Sequence, residues 1–206
     1  MIDHLIYDFD GTISDSYPVF LRIMRTLAKE KNFVIDRTDE QLLDQLLINV
    51  QACFFDLGIN YLENICDFWR IQRELYKEFK PFPEVKPLLE KAIRLGKKNY
   101  IYTHSGEIVF DILKNMGIDG YFTAAVTSAD GFPAKPAPNA LQHLCRTQGL
   151  SPENCMMIGD RNIDTQAGQN AGMIGCLWDA YGRYPDEPVA YKIKTLGELI
   201  DLLDTI

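Results

Sequence analysis

The sequence predicts an α/β protein, a doubly wound and mostly parallel sheet with a small helical insert near its start. Three observations carry this. Past Pro83, apolar runs of strand length alternate with segments of helical period, the pattern of crossover units in a parallel sheet. From Ser14 to about Lys80 the periodicity is helical and no strand signal interrupts it. The first apolar run, Leu5-Ile6-Tyr7, ends on Asp8-Phe9-Asp10-Gly11-Thr12. Acids two apart on a strand share a face and repel one another. Such an ending is a poor core and a good site, because parallel sheets bind ligands beyond the carboxyl ends of their strands. A divalent cation would relieve the repulsion.

Composition narrows the class. The chain has 206 residues, 47% apolar and 24% charged, enough for one α/β domain with an insert and a sizeable core. A net charge of −8 argues against non-specific binding to nucleic acid or to an anionic membrane, and leaves a small anionic substrate open. No run approaches the ~18 apolar residues of a membrane span. Asp3 and His4 stand where a signal peptide would be basic. The five cysteines, Cys53, Cys66, Cys145, Cys155 and Cys176, are scattered without a CxxC pair. They are expected to be reduced, mostly buried core residues of a cytoplasmic protein rather than zinc ligands.

Taken in order, Pro18 suits a helix start, with Val19, Phe20, Ile23, Met24 and Leu27 on one face. Thr38 before Asp39-Glu40-Gln41 reads as a capping box for a helix through Leu42, Leu43, Leu46 and Leu47. A third helix is expected from about Asn60 to Phe79. The aromatic residues Phe54, Phe55, Phe68, Trp69 and Tyr76 read as the core of this insert, which spans about residues 15–80. Past Pro83 a helix from Glu84 to Leu95 stops at Gly96, and a strand over Asn99–Thr103 follows. The next elements are a helix from Glu107 to Met116, a strand near Tyr121–Thr127 and a helix from Pro138 to Thr147. The strand Cys155–Ile158 leads into Gly159-Asp160 and a helix to Ala171. Strands at Met173–Trp178 and Ala190–Ile193 and a helix at Leu196–Leu203 complete the sheet unit, residues 1–14 and 81–206.

Chemistry-bearing residues cluster at the predicted strand ends. The first strand ends in Asp8 and Asp10, the second in Thr103, His104 and Ser105, and the fourth in Asp160, with Asp164 one helical turn on. Lys135 precedes the helix at Pro138. Carboxylates, a hydroxyl and a lysine at one sheet edge suit phosphoryl transfer: one acid attacks phosphorus and a second moves protons. Hard oxygens hold Mg²⁺, while hydroxyl, lysine and backbone N–H groups hold the phosphate oxygens.

Here a resemblance can be named. Asp8-Phe9-Asp10-Gly11-Thr12 resembles the first motif of the haloacid dehalogenase superfamily. Tyr100-Ile101-Tyr102-Thr103, Lys135-Pro136-Ala137-Pro138 and Ile158-Gly159-Asp160-Arg161-Asn162-Ile163-Asp164 match its later motifs in order, over about residues 5–180. The insert resembles the helical cap of the phosphoglycolate phosphatase-like and β-phosphoglucomutase-like branch. The resemblance implies a Rossmann-like core and a cap that closes over the sheet edge and selects the substrate. It implies Asp8 as nucleophile, Asp10 as acid and base, and Thr103 and Lys135 as further catalytic groups on the phosphate. Asp8, Asp160, Asp164 and the Asp10 carbonyl are the implied Mg²⁺ ligands, Asp164 through water or as an orienter. Gly11, Thr12, Thr103, His104 and Lys135 form the implied substrate-binding set, with Gly11 also allowing a sharp turn.

The residue at position 10 sorts the chemistry. The dehalogenases lack this second aspartate and P-type ATPases carry lysine there, so Asp10 implies a phosphatase or a phosphomutase, and Thr12 leans towards phosphatase. The expected activity is Mg²⁺-dependent hydrolysis of a small phosphorylated metabolite through an aspartyl-phosphate. The alternatives are a phosphomutase of the β-phosphoglucomutase type, a phosphonatase using Lys29 or Lys31, and a non-catalytic phosphate-ligand binding protein. Two departures stand out. His104 replaces the branch's frequent asparagine, and Leu47-Ile48-Asn49-Val50-Gln51 replaces the glycine-proline recognition segment of the cap. Arg161 reads as a surface residue at a helix start, without a role.

Overall fold

The computed structural model describes residues 1–206. The chain forms two compact units, one of Asp15–Lys80 and one of Met1–Ser14 with Pro81–Ile206.

The Asp15–Lys80 unit is helical. Helix α1 (Tyr17–Lys31) starts with Pro18 in its first turn and buries Val19, Phe20, Ile23, Met24 and Leu27, the three-and-four spacing of one helix face. Helix α2 (Asp39–Leu46) carries the capping box: Gln41 N–H donates to Thr38 Oγ1 at 3.2 Å and Thr38 N–H to Gln41 Oε1 at 3.0 Å. Helix α3 (Val50–Asp56), capped by Asn49 Oδ1 accepting from Ala52 N–H at 2.7 Å, is absent from the sequence reading. Two turns are too short for a helical period to register. Helix α4 (Tyr61–Glu74) ends earlier than the expected Phe79, and a short 3₁₀ turn over Tyr76–Glu78 follows.

The aromatic core of this unit is smaller than the sequence suggested. Phe54 and Phe68 are buried with ring centroids 6.1 Å apart, and Phe20 lies 6.0 Å from Phe68. Phe55 and Trp69 are instead 86% and 54% exposed. Neighbours in a helix point about 100° apart, so Phe54 and Phe68 facing inward turn Phe55 and Trp69 outward. Cys66, also on α4, is exposed, which corrects its reading as a core residue; the other four thiols are buried.

The second unit is built on six parallel strands: β1 (His4–Tyr7), β2 (Lys98–Tyr102), β3 (Phe122–Val126), β4 (Cys155–Gly159), β5 (Ile174–Trp178) and β6 (Tyr191–Ile193). They run in the order β3-β2-β1-β4-β5-β6, joined through helices α5 (Val85–Arg94), α6 (Ile108–Met116), α7 (Asn139–Gln148) and α8 (Asn162–Asn170), with α9 (Leu196–Leu202) after β6. Leu5, Ile6 and Tyr7 of β1 and all of β4 are buried, as expected of central strands covered on both faces. On one face Ile6, Tyr100, Met157, Leu141 and Leu144 share a core cluster. Helix α5 buries Val85, Leu88, Leu89 and Ala92; truncating either leucine to alanine would cost about 2–5 kcal/mol.

This order positions the site. Strand β1 sits between β2 and β4, with Tyr7 opposite both Ile101 and Ile158. The strand order reverses there, the place where open parallel sheets bind ligands, beyond the carboxyl ends of β1 and β4. Asp8 follows β1 and Asp160 follows β4. No helix of the chain is long and apolar enough to cross a membrane.

Candidate active site

The turn after β1 sets the first two acids. Asp8 N–H donates to Ile158 O at 2.8 Å, so the sheet ladder runs one residue past β1 and fixes the Asp8 backbone. The chain then folds back on Phe9, whose carbonyl accepts from Thr12, Ile13 and Ser14 N–H. Gly11 takes φ +79° in this turn, a left-handed conformation in which a side chain would be strained. Its N–H donates to Ser14 O at 2.9 Å, so the Gly11 amide serves the turn. Thr12 is buried and its hydroxyl donates to Asp160 Oδ1 at 3.3 Å. The Thr12 side chain thus orients an acid of the site.

Strand β2 delivers the next group. Thr103 is buried, its N–H donates to Val126 O at 3.0 Å, and its Oγ1 accepts from Ser105 N–H at 2.9 Å. A hydroxyl that accepts there keeps its own proton to give. Ser105 Oγ donates to Asp10 Oδ2 at 2.6 Å. His104 Nε2 accepts from Lys135 N–H at 2.9 Å, so the histidine braces the backbone of the lysine. Burial, then Lys135 and Arg161, push the His104 imidazole down to about 4 against the pull of Asp164. It therefore stays a neutral acceptor at physiological pH.

Lys135 is the hub. Its Nζ is fully buried and donates to Asp8 Oδ1 at 2.8 Å, Asp164 Oδ1 at 2.8 Å and Tyr102 O at 2.9 Å, which uses all three ammonium donors. The Tyr102 ring lies 4.5 Å from Nζ, within cation–π range. Burial works to lower the Lys135 pKa, but Asp164 and Asp8 outweigh it and hold the group above its ordinary value. The lysine stays charged.

Beyond β4, Asp164 is buried, with Oδ1 on Lys135 and Oδ2 accepting from Arg161 N–H at 3.0 Å. Both its oxygens hold protein groups, so it acts as an anchor. Gly159 makes room for it: a Cβ there would collide with the Asp164 side chain. The predicted strand-end residues Asp8, Asp10, Thr103, His104, Lys135, Asp160 and Asp164 thus come together. Sequence reasoning left out Ser105 and Arg161. Ser105 was visible at a strand end, but its bond to Asp10 spans residues far apart in sequence. Arg161, read as a surface residue, has a side chain only 12% exposed with Nη2 3.8 Å from Asp8 Oδ2.

Asp8, Asp160 and Asp164 can each offer one carboxylate oxygen, and these three atoms lie within 4.8 Å of one another. Asp8 Oδ2 is buried and has no hydrogen-bond partner, a costly state for a carboxylate oxygen. An all-oxygen, acidic donor set fits a hard divalent cation such as Mg²⁺. The Asp10 carboxylate does not join the group, and its side chain is turned to Ser105.

A family model described as haloacid dehalogenase-like hydrolase matches residues 5–177. The chain is 36% identical to the N-acylneuraminate-9-phosphatase of Mus musculus, over 98% of this chain and 94% of that protein. It is 28% identical to a phosphoglycolate phosphatase of Vibrio vulnificus, over 97% and 95%. The crystal structure of a subfamily IA haloacid dehalogenase-superfamily hydrolase from Geobacter sulfurreducens superposes with a TM-score of 0.80 at 21% identity, covering 98% of this chain and 100% of that one.

Proposed function

The chain belongs to the haloacid dehalogenase-like hydrolase family, and on that premise we propose that it hydrolyses a small phosphomonoester with Mg²⁺ through an aspartyl-phosphate on Asp8. The observation that carries the reading is Asp8 itself. One of its oxygens is bound to the buried Lys135 ammonium and the other has no hydrogen bond, as suits a nucleophile anchored on one side and open on the other.

Asp8 attacks phosphorus, and the P–O bond to the leaving group breaks as the new bond forms. Asp10, held by Ser105, gives its proton to the departing oxygen and then takes one from the water that cleaves the aspartyl-phosphate. Thr103 and Lys135 hold the phosphoryl oxygens. Mg²⁺, held by Asp8, Asp160 and the Asp10 carbonyl, would supply positive charge to bring an anionic nucleophile and an anionic phosphate together. Asp164 keeps Lys135 and the start of α8 in place.

Relatives named as phosphatases support the reaction, while their names differ in the ester. None of the acids, hydroxyls or the lysine of this site lies within residues 15–80, so we assign the choice of leaving group to that unit, as a cap. The test is phosphate release from a generic aryl phosphate with Mg²⁺, with chelator, and with Asp8→Asn, followed by a panel of phosphorylated metabolites. Hydrolysis that needs Mg²⁺ and disappears in Asp8→Asn is expected. Undiminished turnover by Asp8→Asn protein would remove the nucleophile assignment.

A further inference from the structure

Arg161 carries a full positive charge into the site and has no task in the reaction as set out above. It is the residue before α8, and its N–H bond to Asp164 Oδ2 at 3.0 Å pins its backbone beyond the carboxyl end of β4. From there the side chain turns back towards β1, with Nη2 3.8 Å from Asp8 Oδ2 and little of it exposed. That separation is beyond hydrogen-bonding distance but short for two charges with little water between them. Its charge is also felt by His104 and Lys135, whose protonated forms it disfavours, which places the guanidinium in the field of the phosphate-holding groups.

Charge counting shows what it changes. Asp8, Asp160 and Asp164 set three negative charges against the positive charges of Lys135 and Arg161. A divalent cation then leaves the site with one net positive charge, suited to an incoming phosphoryl dianion. Without Arg161 the same site is neutral. A guanidinium differs from the Lys135 ammonium in shape: its donors lie in a planar fork that matches phosphate oxygens.

We propose that Arg161 is a phosphoryl-binding residue, whose guanidinium takes non-bridging oxygens of the group transferred to Asp8. This rests on the reading of Asp8 as the phosphoryl acceptor. The arginine binds the substrate phosphate before transfer and the inorganic phosphate after it, and it opposes the cation, with which it shares Asp8.

The last point gives the test opposite signs. Binding of inorganic phosphate with Mg²⁺ present, and of Mg²⁺ alone, is measured by calorimetry on the wild-type, Arg161→Met and Arg161→Lys proteins, alongside KM and kcat for an aryl phosphate. Loss of a charge-assisted pair predicts phosphate binding weaker by about 10–100-fold in Arg161→Met, with KM rising in parallel and Mg²⁺ binding unchanged or tighter. Arg161→Lys falls between, because it keeps the charge and loses the fork. Phosphate affinity unchanged in either variant overturns the proposal, as does a joint weakening of phosphate and Mg²⁺, which marks a residue that only holds the acids in place. If Arg161→Met does not fold, the lysine variant decides alone. A wild-type protein that shows the Arg161 dependence in phosphate binding but releases phosphate from no ester defeats the hydrolysis reading and leaves this one standing. Hydrolysis with equal KM in wild type and Arg161→Met does the reverse.

Discussion

Ser105 Oγ donates to Asp10 Oδ2 across 2.6 Å, tying the end of β2 to the second acid beyond β1. The acid–base role proposed for Asp10 needs its carboxylate held in one orientation. Ser105→Ala is therefore expected to lower kcat about 10-fold while leaving KM near the wild-type value, because the proton transfer is disturbed and phosphate binding is not. Steady-state kinetics on an aryl phosphate checks this. A variant with raised KM and intact kcat would assign Ser105 to binding instead.

Removing Lys135 should be costly for the fold. Asp8 and Asp164 are both buried against its ammonium, and taking away one member of a buried charge cluster costs about 3–5 kcal/mol. Lys135→Ala is expected to lower Tm by roughly 6–20 °C in a chain of this size. Asp8→Asn should cost less, because Lys135 keeps Asp164 and the Tyr102 carbonyl as acceptors. Thermal melts of the two variants rank them, and the reverse order would show that the lysine is not the hub.

Gly159→Ala places a methyl group against the Asp164 side chain. Asp164 must move, and Lys135 and the first turn of α8 move with it. The overpacking should cost about 1–3 kcal/mol, and displacing the groups proposed to hold phosphate by about 1 Å should cost on the order of 10²-fold in kcat. Melting and kinetics of Gly159→Ala test the two together, and a variant that matches wild type in both would mean Asp164 has slack the geometry does not suggest.

His104 sets a pH dependence with a definite sign. Its folded pKa, about 4, lies below the ordinary 6.5, so an unfolded chain takes up a proton in this interval that the folded chain refuses. Stability from this group is complete above about pH 6.5 and is lost as pH falls towards 4. Protonation would also destroy the acceptor of Lys135 N–H. Denaturation of wild type and His104→Gln at pH 7.5 and 4.5 is the check: the wild type should lose more stability on acidification than the variant, and equal losses would refute the shift.

Much of this was legible in the order of residues. The alternation of strands and helices past Pro83 gave the parallel sheet because β-strand and helix periods are local. Asp8, Asp10, Thr103 and Asp160 could be picked out because each lies where an apolar run ends, Asp164 because it follows Asp160 by one helical turn, and Lys135 because it precedes the helix at Pro138. Helix α3 escaped because seven residues, Val50–Asp56, hold too few turns to show a period. The exposure of Phe55 and Trp69 is not legible in aromatic content alone, because neighbours on a helix point about 100° apart.

By itself, then, the sequence determined the fold class, the acids and lysine at the strand ends, and the resemblance that joins them. Only the tertiary structure decided how they divide the work: that Asp164 anchors Lys135, that Thr12 serves Asp160, that Gly11 spends its amide on the turn, and that Arg161 points inward at Asp8. The physical reason is that strand order, not chain order, sets the neighbours here. Placing β1 between β2 and β4 brings residues some 95 to 150 positions apart into hydrogen-bonding range. No local periodicity encodes a distance of that kind.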